Sequence, residues 1–177
     1  GGQYNAAAFT ALKSFQGDYQ EDLLTALDGA KDSKTIVRIL GLVMARRMTA
    51  AAPKVYSLID SDDAETSLIA KFALANIVGV QDIDKVGALL DNASVSDQLA
   101  LQNALIASVH TLAPAEQYAK VSALMKKSKN STDYYPVLAA TGTDEAVNDL
   151  AAAYEAGDKS AFTSLLKIDN FKVAPVL

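Results

Sequence analysis

The sequence predicts an all-α fold, arranged as a right-handed α-α superhelix of about six helix pairs. Three observations carry that prediction. Alanine is the commonest residue and leucine the next, a composition dominated by strong helix formers. Apolar residues recur at three- and four-residue steps, as in Ile36, Ile39, Leu40, Val43 and Met44, and nowhere do β-branched and polar residues alternate over the length of a strand. A short apolar pattern also returns along the chain at the spacing of a two-helix unit.

Taken in chain order, the stripes and their punctuation give helices over about 4–15, 19–28, 34–47, 51–60, 64–78, 83–91, 97–110, 115–127, 132–140, 144–155, 159–167 and 170–177, each boundary good to ~2–4 residues. Asp18, Ser33, Asp62, Asp82, Ser94, Thr132, Thr143 and Asp158 stand where a short oxygen-bearing side chain can accept bonds from the orphan amides of a first turn. Asp62 with Glu65 and Ser94 with Asp97 have the spacing of a loose capping box. Pro114 suits a first helical position, where its missing N–H is not needed. The isolated glycines at 17, 29, 41, 79, 87, 142 and 157 read mostly as helix stops.

The repeat appears on self-comparison. Lys54-Val55-Tyr56-Ser57-Leu58-Ile59-Asp60 matches Lys85-Val86-Gly87-Ala88-Leu89-Leu90-Asp91 and Lys120-Val121-Ser122-Ala123-Leu124-Met125-Lys126. Weaker copies stand at Leu23, Ala26, Leu27 and Asp28 and at Val147 and Leu150, so the lead positions Leu23, Val55, Val86, Val121 and Val147 are 32, 31, 35 and 26 residues apart. The helix before each copy corresponds too: Leu42–Arg46 aligns with Phe72–Asn76 and Ala104–Ser108. A two-helix unit cannot bury both of its stripes alone, and stacking successive units covers them. The expected core runs through Leu23, Leu27, Val55, Leu58, Ile59, Val86, Leu89, Leu90, Val121, Leu124, Met125, Val147 and Leu150.

This array resembles HEAT-type repeats over nearly the whole chain. The tetratricopeptide and ankyrin patterns are missing: there is no Trp and no Thr-Pro-Leu-His turn. A narrower resemblance lies in Tyr134-Tyr135-Pro136-Val137-Leu138-Ala139-Ala140-Thr141-Gly142 and Ala153-Tyr154-Glu155-Ala156-Gly157-Asp158, which are similar to HEAT-like arrays in large bacterial envelope proteins that also carry a concanavalin-like sugar-hydrolase domain. That resemblance implies a periplasmic or envelope setting and a catalytic domain elsewhere in a longer protein. Accordingly, Gly1-Gly2 is expected to be a cloning remnant and 3–177 a single helical-repeat domain. It is expected to be cut short at its C-terminus, because Asp169–Leu177 begins an amphipathic helix and stops on apolar residues.

Composition narrows the chemistry. The net charge of −5, with 16 Lys+Arg against 21 Asp+Glu, argues against a broad surface for nucleic-acid phosphates; Lys126-Lys127-Ser128-Lys129 is too short to change this. The longest uncharged stretch, Gln98 to Ala115, is interrupted by Gln102, Asn103, Ser108, His110 and Pro114, so it reads as a buried helix and turn, with no membrane insertion. With no Cys and one His, thiolate sites, disulfides and imidazole clusters are out of reach.

The remaining candidates favour helix ends over catalysis. His110 closes an apolar helix, and Arg46-Arg47 ends another, both places where a cation meets the last carbonyls. Glu21-Asp22 and Asp144-Glu145 sit in first turns, where negative charge is favoured. Asp60-Ser61-Asp62-Asp63-Ala64-Glu65 has the acid density of a calcium loop without its central Gly or twelfth-position Glu. Tyr134, Tyr135 and Tyr154 are aromatics that pack between helices, or stack on sugar rings where exposed. No residue is assigned as catalytic, cofactor-binding or metal-ligating, and the binding residues are undetermined. The expected function is a non-catalytic helical-repeat scaffold for a protein partner or adjoining domain. The alternative is an accessory segment of a carbohydrate-active enzyme, meeting sugar only through a linked domain. Far-UV circular dichroism of the purified chain should show a helical spectrum without a sheet component; substantial sheet would contradict the periodicity.

Overall fold

The computed structural model describes residues 18–168 together with Thr10 and Ala11. Thr10 and Ala11 are helical; the rest of the helix expected over 4–15, and that over 170–177, lie outside the described residues. Ten α-helices run through the rest, and no strand occurs among the described residues. They are α1 (Gln20–Gly29), α2 (Ser33–Arg46), α3 (Ala52–Leu58), α4 (Ala64–Ile77), α5 (Ile83–Leu90), α6 (Val95–Val109), α7 (Pro114–Lys127), α8 (Tyr135–Ala140), α9 (Asp144–Glu155) and α10 (Lys159–Leu165). Short 3-10 turns at Thr49–Ala51, Val80–Asp82 and Ser131–Tyr134 lead into α3, α5 and α8. The chain divides into two compact units, Gly1–Val78 and Gly79–Leu177.

Helix starts follow the capping chemistry, with two shifts of a single residue. Asp32, not Ser33, caps α2, its Oδ1 accepting from the Thr35 N–H at 2.9 Å. Asp63, not Asp62, caps α4 through the Thr66 N–H at 2.8 Å. In both cases neighbouring residues offer an oxygen, and the carboxylate whose backbone is extended takes the role. Thr143 and Asp158 cap α9 and α10 as expected, and Pro114 opens α7, whereas the Ser94 hydroxyl caps no amide of α6 and donates instead to the Asp97 carboxylate at 2.7 Å. Asp18 accepts from the Gln20 N–H. Asp82 accepts from the Gly79 N–H and so closes the 3-10 turn, whereas Thr132 bonds Asn130 inside its own turn and caps nothing. Gly142 and Gly157 do end helices, with φ of +63° and +100°, conformations that cost a side chain strain. Gly41 and Gly87 instead lie inside α2 and α5.

In the first unit α2 and α4 pack along each other, with α3 against α4 and α1 against α2. Leu40, Val43, Val55, Ala70, Ala73 and Leu74 are fully enclosed there. In the second unit α8 is the hub: it touches α6, α7, α9 and α10. Only six residues long, it buries Tyr135, Val137, Leu138 and Ala139, as a helix apolar on all sides must.

Val55, Val86 and Val121, the lead residues of the matched segments, lie on α3, α5 and α7, and each is wholly buried. The motif's later positions are corrected. Along α5 the buried face is Ile83, Val86, Gly87 and Leu90, an i, i+3, i+4, i+7 stripe, which leaves Leu89 half-buried. Leu58 and Leu124, which align with Leu89, are likewise only half-buried for the same angular reason, and so is Met125, although it aligns with the enclosed Leu90. Gly87, aligned with Tyr56 and Ser122, admits the Leu124 methyl: a Cβ there would lie 3.3 Å from Leu124 Cδ2. Replacing Leu90 by Ala should therefore cost ~2–5 kcal/mol by urea titration, the range for an enclosed leucine. Leu89→Ala should cost about half as much. Equal losses would mean that the face of α5 has been assigned wrongly.

Candidate functional site

The polar residues singled out by the sequence gather mainly at the two ends of α8 and at helix starts. Tyr134, fully buried, ends the 3-10 turn before α8 and reaches back to the end of α5. Its single phenolic proton is shared between the Gly87 carbonyl at 3.0 Å and Asp91 Oδ1 at 2.9 Å. Tyr135, the first residue of α8, donates forward to Asp158 Oδ2 at 3.2 Å, the carboxylate that also caps α10. At the other end His110 Nε2 lies 3.0 Å from the Ala140 carbonyl. A carbonyl can only accept, so Nε2 carries the proton. The ring therefore serves the C-terminus of α8 and not, as expected, that of its own helix, which the His110 backbone N–H closes on the Ile106 and Ser108 carbonyls.

Amides complete the clasp. Asp133 accepts from Gln98 Nε2 at 3.0 Å and Asn130 Nδ2 at 2.9 Å, while its carbonyl accepts from Gln102 Nε2 at 2.8 Å. Further along, the Tyr118 hydroxyl donates to Asp149 at 2.8 Å, joining α7 to α9. Burial, with Asp91 beside it, pushes the Tyr134 hydroxyl pKa far above its ordinary value. Burial raises that of Tyr135 and the Asp149 hydrogen bond that of Tyr118. Bonds from the Ser160 hydroxyl and N–H hold the Asp158 carboxyl below the usual range.

The other candidates serve local structure. In the first unit, Arg46 Nε donates to the Tyr19 hydroxyl at 2.8 Å with the guanidinium carbon 4.7 Å from the ring centroid, which ties the end of α2 to the start of α1. Arg47 follows in the left-handed region, φ 49°, and its N–H closes α2 on the Met44 and Val43 carbonyls. Glu21 and Asp22 lie in the first turn of α1 and line a shallow depression of about 660 Å³ with Tyr19 and Leu24. Asp144 and Glu145 occupy the first turn of α9, and Lys126 and Lys127 the last turn of α7. In the acidic segment Asp63 is committed to its cap, and Asp60, Asp62 and Glu65 are exposed. Among the described residues no group of three or more His, Asp or Glu is arranged to hold a metal ion, and no helix is long and apolar enough to cross a membrane. Of the three tyrosines weighed for sugar stacking, Tyr134 and Tyr135 are buried, and Tyr154, 40% exposed, rests against Phe162 with ring centroids 5.2 Å apart.

One surface escaped the sequence reading. A groove of about 210 Å³ runs between α6 and α8, floored by Leu99, Ile106, Ala139 and Ala140 and edged by Asn103 and Lys167. The signal was present in α6, whose apolar residues occupy more than one face: Leu101 and Leu105 point to the core, while Val95 and Leu99 are 86% and 59% exposed. Comparison of the chain with models of protein families, with characterised proteins and with solved structures finds no match.

The tyrosine clasps make stability fall in alkali. A hydroxyl whose folded pKa is raised stabilises the fold below the ordinary tyrosine value of about 10, and the contribution is lost as pH climbs through the raised value. Tyr134→Phe should cost about 1 kcal/mol at neutral pH, the net worth of a hydrogen bond. That deficit should shrink as the pH passes about 10, since the variant has no phenol to ionise there on unfolding. A deficit in urea titrations that is constant from pH 7 to 11 would refute the assignment.

Proposed function

We propose that the chain is a non-catalytic helical-repeat scaffold that holds a protein partner or an adjoining domain, with its helix pairs stacked as a right-handed HEAT-like superhelix. The observation that carries this reading is what the polar groups do. The groups nearest to chemistry in type, His110, Asp158, Tyr134 and Tyr135, are engaged with helix ends and neighbouring helices. None of them presents a reactive atom to a cleft shared with a partner acid or base, the arrangement that general acid–base catalysis requires. Stacked helices offer extended surface in proportion to their core, which suits binding. The recurrence of Val55, Val86 and Val121 as buried lead residues supports the repeat itself.

A second reading has its own observation. The exposed Tyr154 ring beside Phe162 would suit an accessory segment of a carbohydrate-active enzyme, in which an aromatic face helps to position a sugar.

Two measurements test the proposal. Six helix pairs stacked at ~8–10 Å per layer give ~50–60 Å of length, so small-angle scattering should return a radius of gyration above the ~16 Å of a compact protein of this size; a compact value would remove the superhelix. A screen of the purified chain against glycoside, ester and phosphoester substrates should stay at background. Turnover that survives further purification and disappears on replacing Asp62 or Glu65 would overturn the scaffold reading.

A further inference from the structure

Helix α6 lies in the interior of the chain's helix order, with helices before and after it, yet its outer face is apolar. Val95 and Leu99 are among the most exposed large hydrophobic residues described, and the half-buried Ile106 follows two turns beyond Leu99. Single exposed leucines are ordinary on a protein surface, whereas a row beside a concavity marks a binding surface. Leu99 and Ile106, with the amides of Gln102 and Asn103 between them, form one wall of the 210 Å³ groove, and the facing wall is built from the small residues Pro136, Ala139 and Ala140 of α8. From Leu99 to Ile106 is about 10 Å at ~1.5 Å per residue, long enough to take two side chains of a partner helix that stand four residues, ~6 Å, apart.

The charge around the groove selects the partner. The chain carries a net charge of −5, but among the described residues the one ionisable side chain lining the groove is a cation, Lys167. Asn103 adds an exposed amide on the rim. An apolar floor with a single cationic edge fits an amphipathic helix whose leucine-type residues enter the groove and whose flanking carboxylate meets Lys167.

We propose that the α6–α8 groove docks an acidic amphipathic helix of another protein, through two aliphatic side chains and one carboxylate. This rests on the scaffold reading and names its surface.

The experiment uses the full chain and a fluorescein-labelled, stapled 14-residue helix with two leucines four residues apart and a glutamate beside them, read by fluorescence anisotropy. A control peptide carries lysine in place of that glutamate. The acidic probe should bind saturably and about tenfold more tightly than the control. Leu99→Ser should weaken binding at least ~10-fold, with circular dichroism and melting unchanged because Leu99 is 59% exposed. Lys167→Glu should invert the preference, so that the lysine peptide binds better. Equal affinity for the two peptides, no saturable binding, or indifference to Leu99→Ser would each overturn the proposal. So would binding that appears only after removal of residues 169–177, which would assign the groove to the chain's own end. These failures leave the scaffold reading standing on another face, while substrate turnover in the screen described above would remove that reading whatever the peptides do.

Discussion

The second unit depends on placing a helix that cannot exist by itself. Six residues form α8, half the length at which even favourable sequences become helical in water, and it is apolar around most of its circumference. Its stability must come from neighbours, and it has them on every side: α6, α7, α9 and α10 all touch it. Hydrophobic contact is non-directional, however, and would leave so short a cylinder free to slide or turn. The directional part comes from hydrogen bonds at its ends, from Tyr134 to α5, from Tyr135 to the cap of α10, and from His110 to its last carbonyl.

That arrangement accounts for the use of tyrosine. A tyrosine carries a large apolar ring and one polar atom, so it can cross a packed layer and still satisfy its hydroxyl on the far side. Tyr134 does so to the Gly87 carbonyl and to Asp91. The exposed ion pairs Lys54–Asp28 and Lys120–Asp84, at 3.3 and 2.7 Å, join neighbouring helices in a similar way but are worth little in water.

How far the sequence was legible follows from which forces are local. Helical class, the ten described helices and the buried valines at 55, 86 and 121 follow from periodicity, which survives in any tertiary context. Asp32 and Asp63 were each missed by one residue, because adjacent Asp and Ser are chemically equivalent caps until the backbone angle of each is known. Leu89 was misjudged because a leucine pair on a helix says nothing of which member faces inward; the neighbours decide. The contacts of Tyr134 with residues 43 and 47 positions away had no local trace, nor did the groove, which exists only because α8 lies beside α6. The apolar excess on the outer side of α6, Val95 and Leu99, is visible in the sequence, but its exposure is not.

Hydrogen exchange under native conditions tests the central claim most directly, since it reads the free energy at which each helix opens. If α8 is clamped at both ends within the core, the amides of Leu138, Ala139 and Ala140 should exchange as slowly as those in the middle of the much longer α6, and the two sets should respond in parallel to added denaturant. Fast exchange of the α8 amides, insensitive to denaturant while α6 remains protected, would mean that the short helix frays on its own and is not the hub of its unit.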